Sequence, residues 1–135
     1  MSSYQETLEL KTAAHDAMVD ITTQVEVAVY NSGIKNGQVM VFCPHTTAAI
    51  TINENTDPNV TDDIIQKLTR LCPWREEFYS HIEGNSAAHV KSSLVGVSEV
   101  IPLADGRMQL GTWQGIYFCE FDGPRKRKFI VTVTS

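Results

Sequence analysis

An α+β chain dominated by antiparallel sheet is what this 135-residue sequence predicts. Apolar and polar residues alternate in runs near both ends, the period of a half-buried strand. Between them, apolar residues recur every three or four positions, the period of a helix face. Turn dipeptides separate further β-rich runs late in the chain. The sum is about seven strands and three helices, arranged as a sandwich-like sheet structure around one core. A chain of this length is large enough to bury such a core.

Tyr4 to Thr12 reads as the first strand, with Gln5, Thr7, Glu9 and Lys11 alternating with Leu8 and Leu10. Asp20 offers an N-cap for a helix whose face is Ile21, Val25, Ala28 and Val29, and Asn31-Ser32-Gly33 ends it. Val25, Val27 and Val29 also fit a strand by alternation. Asn36-Gly37 is a turn signal. Gln38 to Cys43 then carries apolar residues on both faces, as a central strand does. Ala48 to Asn53 is a second β-rich run, with Ile50 and Ile52 on one face.

Asp57 caps and Pro58 opens a helix carried by Val60, Ile64, Leu68 and Leu71, which Pro73 ends. Ser86 caps a third helix that runs to about Leu94 and is closed by Gly96. Val97 to Leu103 and Arg107 to Trp113 flank the hairpin dipeptide Asp105-Gly106. Ile116 to Phe121 and Phe129 to Thr134 form another strand pair around Asp122-Gly123-Pro124. In the last strand Phe129, Val131 and Val133 point one way, and Thr132 and Thr134 the other.

Composition narrows the function classes. A hydrophobic fraction of 42%, a charged fraction of 20% and a net charge of −5 describe an ordinary soluble protein. The acidic balance argues against a nucleic-acid role for the whole surface. No apolar run approaches the roughly 20 residues a membrane helix needs. The N-terminus lacks a basic segment followed by an apolar one, so a cytoplasmic location is expected. Cys43, Cys72 and Cys119 are odd in number and sit in apolar contexts, which reads as reduced core thiols.

The chemistry-bearing residues concentrate in two segments. His81 to His89 carries two imidazoles and Glu83 around a Gly-Asn turn, and Pro44-His45-Thr46-Thr47 lies between two core strands. Neutral imidazole is a common metal ligand, and three of them with one open position make a catalytic zinc site. Alternatively, each ring hydrogen-bonds its own loop. His81 and His89 are eight apart, which is not the spacing of a helical zinc motif. Glu83, Glu54 and Asp57 are candidate acid/base groups, with Asp57 equally explained as a helix cap. His15 reads as structural, and Asp62 and Asp63 as early-helix charges that offset the macrodipole.

Ser86 and the amides after it suit phosphate, and capping explains Ser86 equally well. Trp113, between Gly111 and Gly115, could wall a flat ligand or sit in the core at a bulge. Arg125-Lys126-Arg127-Lys128 is a basic turn that could bind phosphate or be a solvated hairpin tip.

Several of these stretches, in this order, resemble the YjbQ-like family, also called secondary thiamine-phosphate synthase enzymes. They are His45-Thr46-Thr47 running on to Asn53-Glu54-Asn55 and Asp57-Pro58, the His81 to His89 segment, Ser93-Leu94-Val95-Gly96, Leu110-Gly111-Thr112-Trp113-Gln114, and Asp122-Gly123-Pro124-Arg125 with Arg127. The spacer Asn85-Ser86-Ala87-Ala88 is shorter than in many members. The resemblance spans nearly the whole chain and implies one YjbQ-like domain over residues 1–135.

It further implies a mostly β-sandwich-like subunit that forms a homotrimer, with its site at subunit interfaces. The implied site takes in His45, His81, Glu83 and His89, with Glu54 beside them; on the imidazole reading the three histidines would hold a divalent metal, expected to be zinc, with Glu83 and Glu54 as proton-transfer groups. Thr46, Asn53, Trp113, Gln114 and Arg125 would bind a phosphorylated small molecule. The implied activity is weak joining of a pyrimidine pyrophosphate to a thiazole phosphate, giving thiamine phosphate. A (β/α)₈ barrel needs at least roughly 200 residues, so this chain would perform any such reaction on another scaffold. The alternative is a non-catalytic protein that binds a metal or a phosphometabolite.

Overall fold

The two ends of the chain are one unit of sheet. In the computed structural model, which describes residues 2–135, β1 (Ser3–Lys11) lies antiparallel to β8 (Lys126–Thr134) over its full length. Period-two alternation predicts both strands, and both alternate in burial as it requires. Phe129, Val131 and Val133 are buried while Ile130, Thr132 and Thr134 face the other way.

Between these ends come β2 (Ala17–Asp20), α1 (Thr22–Ser32), β3 (Gly37–Phe42), β4 (Ala48–Glu54), α2 (Pro58–Leu71), α3 (Ser86–Val95), β5 (Ser98–Ala104), β6 (Arg107–Met108) and β7 (Gln114–Glu120). The fold is α+β with antiparallel pairing throughout. One sheet has the order β1-β8-β3-β5-β6 and the other β2-β7-β4. Their facing sides, closed by α1, bury the main core of Val39, Val41, Ile50, Ile101, Ile116, Phe118, Phe129 and Val131. The outer side of the small sheet buries Ala49, Tyr117 and Cys119 against Ala88 of α3, Leu68 of α2 and Trp74.

Local signals place the caps. Asp20 accepts the Thr22 amide, but Ile21 and not Asp20 holds the N-cap position of α1; the helix alternative holds for Val25 to Val29, and Val27 is left 52% exposed. Gly33 ends α1 with φ +67, a left-handed conformation that glycine adopts freely. Asp57 accepts the Asn59 amide at 2.9 Å, and Pro58 opens α2.

Four further expectations need correction. The short strand β2 has no alternation to announce it, so the described residues contain eight strands and not about seven. The run Arg107 to Trp113 is a strand only over Arg107–Met108, with one further bond to β5 from the Gln109 amide to Pro102 O at 2.8 Å, after which the Gly111 amide turns to Gln114 Oε1. Asn85, not Ser86, holds the N-cap position of α3. Most consequentially, β7 and β8 do not pair with each other. β7 joins β2 and β4, while β8 joins β1 and β3. The Phe121 to Arg125 corner therefore carries the chain from one sheet to the other and is not a hairpin. The basic run after it is the start of a strand, not a solvated tip.

Cys43, Cys72 and Cys119 are free and buried. Burial pushes the Cys43 thiol up to about 11 and the Cys119 thiol up to about 12. The native protein at pH 8 is expected to react with an aromatic disulfide reagent only on unfolding, releasing three thiol equivalents in urea. A rapid native equivalent would contradict this packing.

Candidate functional site

Two connections meet beside the start of β4. Residues 43–47 join β3 to β4, and residues 96–97 leave α3 for β5. The Cys43 amide donates to Val97 O at 2.8 Å and the Ile50 amide to Gly96 O at 3.1 Å. Ser92 Oγ donates to Ala48 O at 2.7 Å, which seats α3 on β4. One turn earlier on α3, His89 reaches the loop of His45. The two histidines, with Thr46, Ser92 and Ser93, line a cavity of about 530 Å³.

His81 arrives from the other side. Its turn is closed by the Gly84 amide on His81 O at 3.1 Å, with Gly84 at φ +70. The turn brings the His81 ring to 5.2 Å from the His89 ring, centre to centre and nearly perpendicular. His81 also lines a second cavity, of about 420 Å³, with Glu83, Trp74 and Tyr79. The histidine pair thus borders two cavities.

His45 is positioned differently. Its Nε2 accepts the Lys128 amide at 3.0 Å, so in the neutral ring Nδ1 carries the proton. Burial, and then the charge of Arg127, hold its pKa below the ordinary histidine range. At neutral pH the ring is an uncharged N–H donor.

Beneath this loop lies a buried network that the sequence reading missed. Arg127 donates to Thr47 Oγ1 at 2.8 Å and to Thr47 O at 3.2 Å. It also forms a two-pronged pair with Glu120, one prong being Nε to Oε1 at 2.8 Å. Glu120 is 0% exposed and accepts from Thr12 Oγ1 at 2.7 Å and the Asp122 amide at 2.9 Å. Burial would raise its pKa. The Arg127 guanidinium, the Asp122 amide and the Thr12 hydroxyl outweigh burial and hold it below the ordinary carboxylate range.

A second missed ion pair anchors α3. Lys91 is 2% exposed and donates to Asp16 Oδ2 at 2.8 Å. Asp16 also meets His15 Nδ1, and the His15 ring stands edge-on to Trp74 at 4.5 Å. The available signal was helical spacing. Ala88, Lys91, Ser92 and Val95 share one stripe of α3, the stripe that faces β4.

The remaining candidates do not join the histidines within one chain. Glu54 and Asn53 lie at the far end of β4, about 20 Å along the strand from Ala48 at about 3.3 Å per residue. There they pair with Gln114 and Gly115, and Trp113 O accepts the neighbouring Asn55 amide. Trp113 is 60% exposed, not in the core. Arg125 is committed to Asp122, donating to its carbonyl at 2.8 Å and its carboxylate at 3.0 Å. Asp122 also accepts from Asn85 Nδ2 at 2.8 Å, while the buried Asn85 Oδ1 has no partner.

The metal expectation meets a mixed fit. Zinc–nitrogen bonds are about 2.0–2.1 Å, so rings 5.2 Å apart can each offer a nitrogen to one ion. His45 does not offer Nε2, which is occupied by the Lys128 amide. Among the described residues no three His, Cys, Asp or Glu side chains are grouped to hold an ion on their own. Among them, too, no helix is long and apolar enough to cross a membrane.

Residues 6–135 match the family model described as UPF0047 protein YjbQ-like. The chain belongs to this family. It is 54% identical to UPF0047 protein YugU of Bacillus subtilis over 121 residues, covering 90% of this chain and 92% of that one. It is 52% identical to a UPF0047 protein of Methanocaldococcus jannaschii over 125 residues, covering 93% and 90%. Among solved structures, a YjbQ/UPF0047 protein from Clostridium acetobutylicum superposes with a TM-score of 0.93 at 53% identity, covering 96% and 99%. A structure from Sulfolobus solfataricus P2 gives 0.93 at 36% identity. These YjbQ-like relatives share the sandwich and its helices. Their names state the family and no reaction.

Proposed function

We propose that this YjbQ-like protein is a metal-assisted enzyme acting on phosphorylated small molecules. The observation that carries the reading is the perpendicular His81–His89 pair bordering two cavities. The pair would hold a divalent ion, zinc being the best match to nitrogen ligands. Such an ion acts as a Lewis acid towards a phosphoryl oxygen. Glu83, exposed beside His81, would accept or return a proton. Thr46 and the Nδ1–H of His45 would orient the ligand from the other cavity.

A homotrimer fits the split of the candidates. Asn53, Glu54, Trp113 and Gln114 form a far cluster that a neighbouring subunit could present to the histidines. Exposed Ile82, Leu94, Met40 and Val100 give apolar surface for such contacts. The finer reading is weak thiamine-phosphate synthase activity, in which Trp113 would stack on a heterocycle. It draws on the family resemblance.

Zinc titration of chelator-treated protein against a chromophoric competitor tests the metal. One equivalent per chain is expected, with affinity reduced at least about 100-fold in His81→Ala and in His89→Ala. Equal affinity in both variants and the parent would refute the proposal. No hydrogen bond aims the Glu83 carboxylate among the described residues, which favours a second reading, binding without turnover. Glu83→Gln separates the two: loss of turnover with retained ligand binding supports the enzyme.

A further inference from the structure

With Arg125 committed to Asp122, the uncommitted cations lie elsewhere. The register of β1 on β8 sets Lys11 directly opposite Lys126 and Glu9 opposite Lys128. Directly opposed side chains have Cβ atoms about 4.5–5.5 Å apart, and like charges there oppose strand pairing. All three lysines are exposed, and none takes part in an ion pair among the described residues. A concentration of positive charge on a chain of net charge −5 runs against the rest of the surface.

These lysines line a cavity of about 550 Å³ together with Glu9, Leu10 and His45. Arg127 also borders it, but its charge is matched by Glu120. His45 lines both this cavity and the His89 cavity.

We propose that the Lys11–Lys126–Lys128 cavity is an anion site for the phosphate or pyrophosphate end of a small molecule. Where the other end lies, over His45 towards His89, rests on the metal-site reading above. The anion site itself does not. An anion of two or more charges between Lys11 and Lys126 turns their mutual repulsion into attraction for the ligand. Three lysines beside Glu9 suit one compact polyanion and not a nucleic-acid strand, which needs an extended track of cations.

Calorimetric titration of the full-length, chelator-treated protein with inorganic pyrophosphate tests the site. Binding is expected, at least about tenfold tighter than orthophosphate and weakened by added salt. Lys11→Glu and Lys126→Glu should each weaken pyrophosphate at least about tenfold. Both positions are exposed strand residues, and either change removes a like-charge pair, so folding should be retained. Lys67→Glu, on the remote and exposed face of α2, carries the same charge change and should stay within about twofold of the parent.

Absent pyrophosphate binding would overturn the proposal. So would unchanged affinity in Lys11→Glu and Lys126→Glu, or an equal loss in Lys67→Glu. The assay contains no metal, so a failed histidine site leaves it readable. Zinc binding with no lysine effect would defeat the anion site alone.

Discussion

Arg127→Met is expected to destabilise the protein by about 3–5 kcal/mol, the cost of removing one partner from a buried ion pair. Glu120 would remain fully buried, keeping only the Thr12 hydroxyl and the Asp122 amide as donors. Thr47 would lose both Arg127 contacts and keep only the Phe121 amide on its carbonyl, at 3.2 Å.

The pH dependence should change sign. In the parent, Glu120 is held below its ordinary pKa, so its contribution is present above the unfolded value of about 4.3. That contribution is lost as pH falls through the folded value. In Arg127→Met, burial dominates and raises the carboxyl's pKa, so the variant loses stability as pH rises. The gap between the two proteins should be wider at pH 8 than at pH 5. Urea midpoints at both pH values check this. A constant gap would show that Glu120 ionisation is not the source of the loss, and an unfolding free energy within about 0.5 kcal/mol of the parent would show that removing Arg127 costs no stability. The double variant Glu120→Gln with Arg127→Met should lose less than the sum of the singles, because no charge is then left unpaired.

Asp16→Asn is expected to cost about 3 kcal/mol. The figure is at the lower end for a broken buried pair because Asp16 is 18% exposed. The Lys91 ammonium would then lose its counter-charge and face at best a neutral amide oxygen and the Phe121 ring, 5.8 Å from its nitrogen. Lys91→Met should cost less than half as much, since the abandoned carboxylate can reach water and His15. Thermal unfolding measures both. α3 carries His89, so Asp16→Asn should also weaken zinc binding even though Asp16 is no ligand. Full zinc affinity in a destabilised variant would separate the anchoring of α3 from the proposed metal site.

How far the residues alone revealed these features varies with their range along the chain. Alternation located β1 and β8, and Asp57-Pro58 and Gly33 marked helix ends, because each signal lies within a few residues. Asp105-Gly106 announced its hairpin, with φ +54 and +78 at the two positions. The histidine segments were legible by residue type alone. That His81 meets His89 needed the turn at Gly84 and the start of α3 to be placed together.

Residue order by itself therefore settled the antiparallel α+β class and most strand and helix positions, and it named the candidate side chains by type. Backbone periodicity and capping are local, so a few neighbouring residues suffice to express them. Folding in three dimensions decided that β7 and β8, neighbours along the chain, enter different sheets. It also decided that Lys91 is neutralised 75 residues away by Asp16, and that Arg127 grips a loop 80 residues away at Thr47. Burial of a charge depends on which distant partner packing delivers to it, and no local pattern encodes that partner.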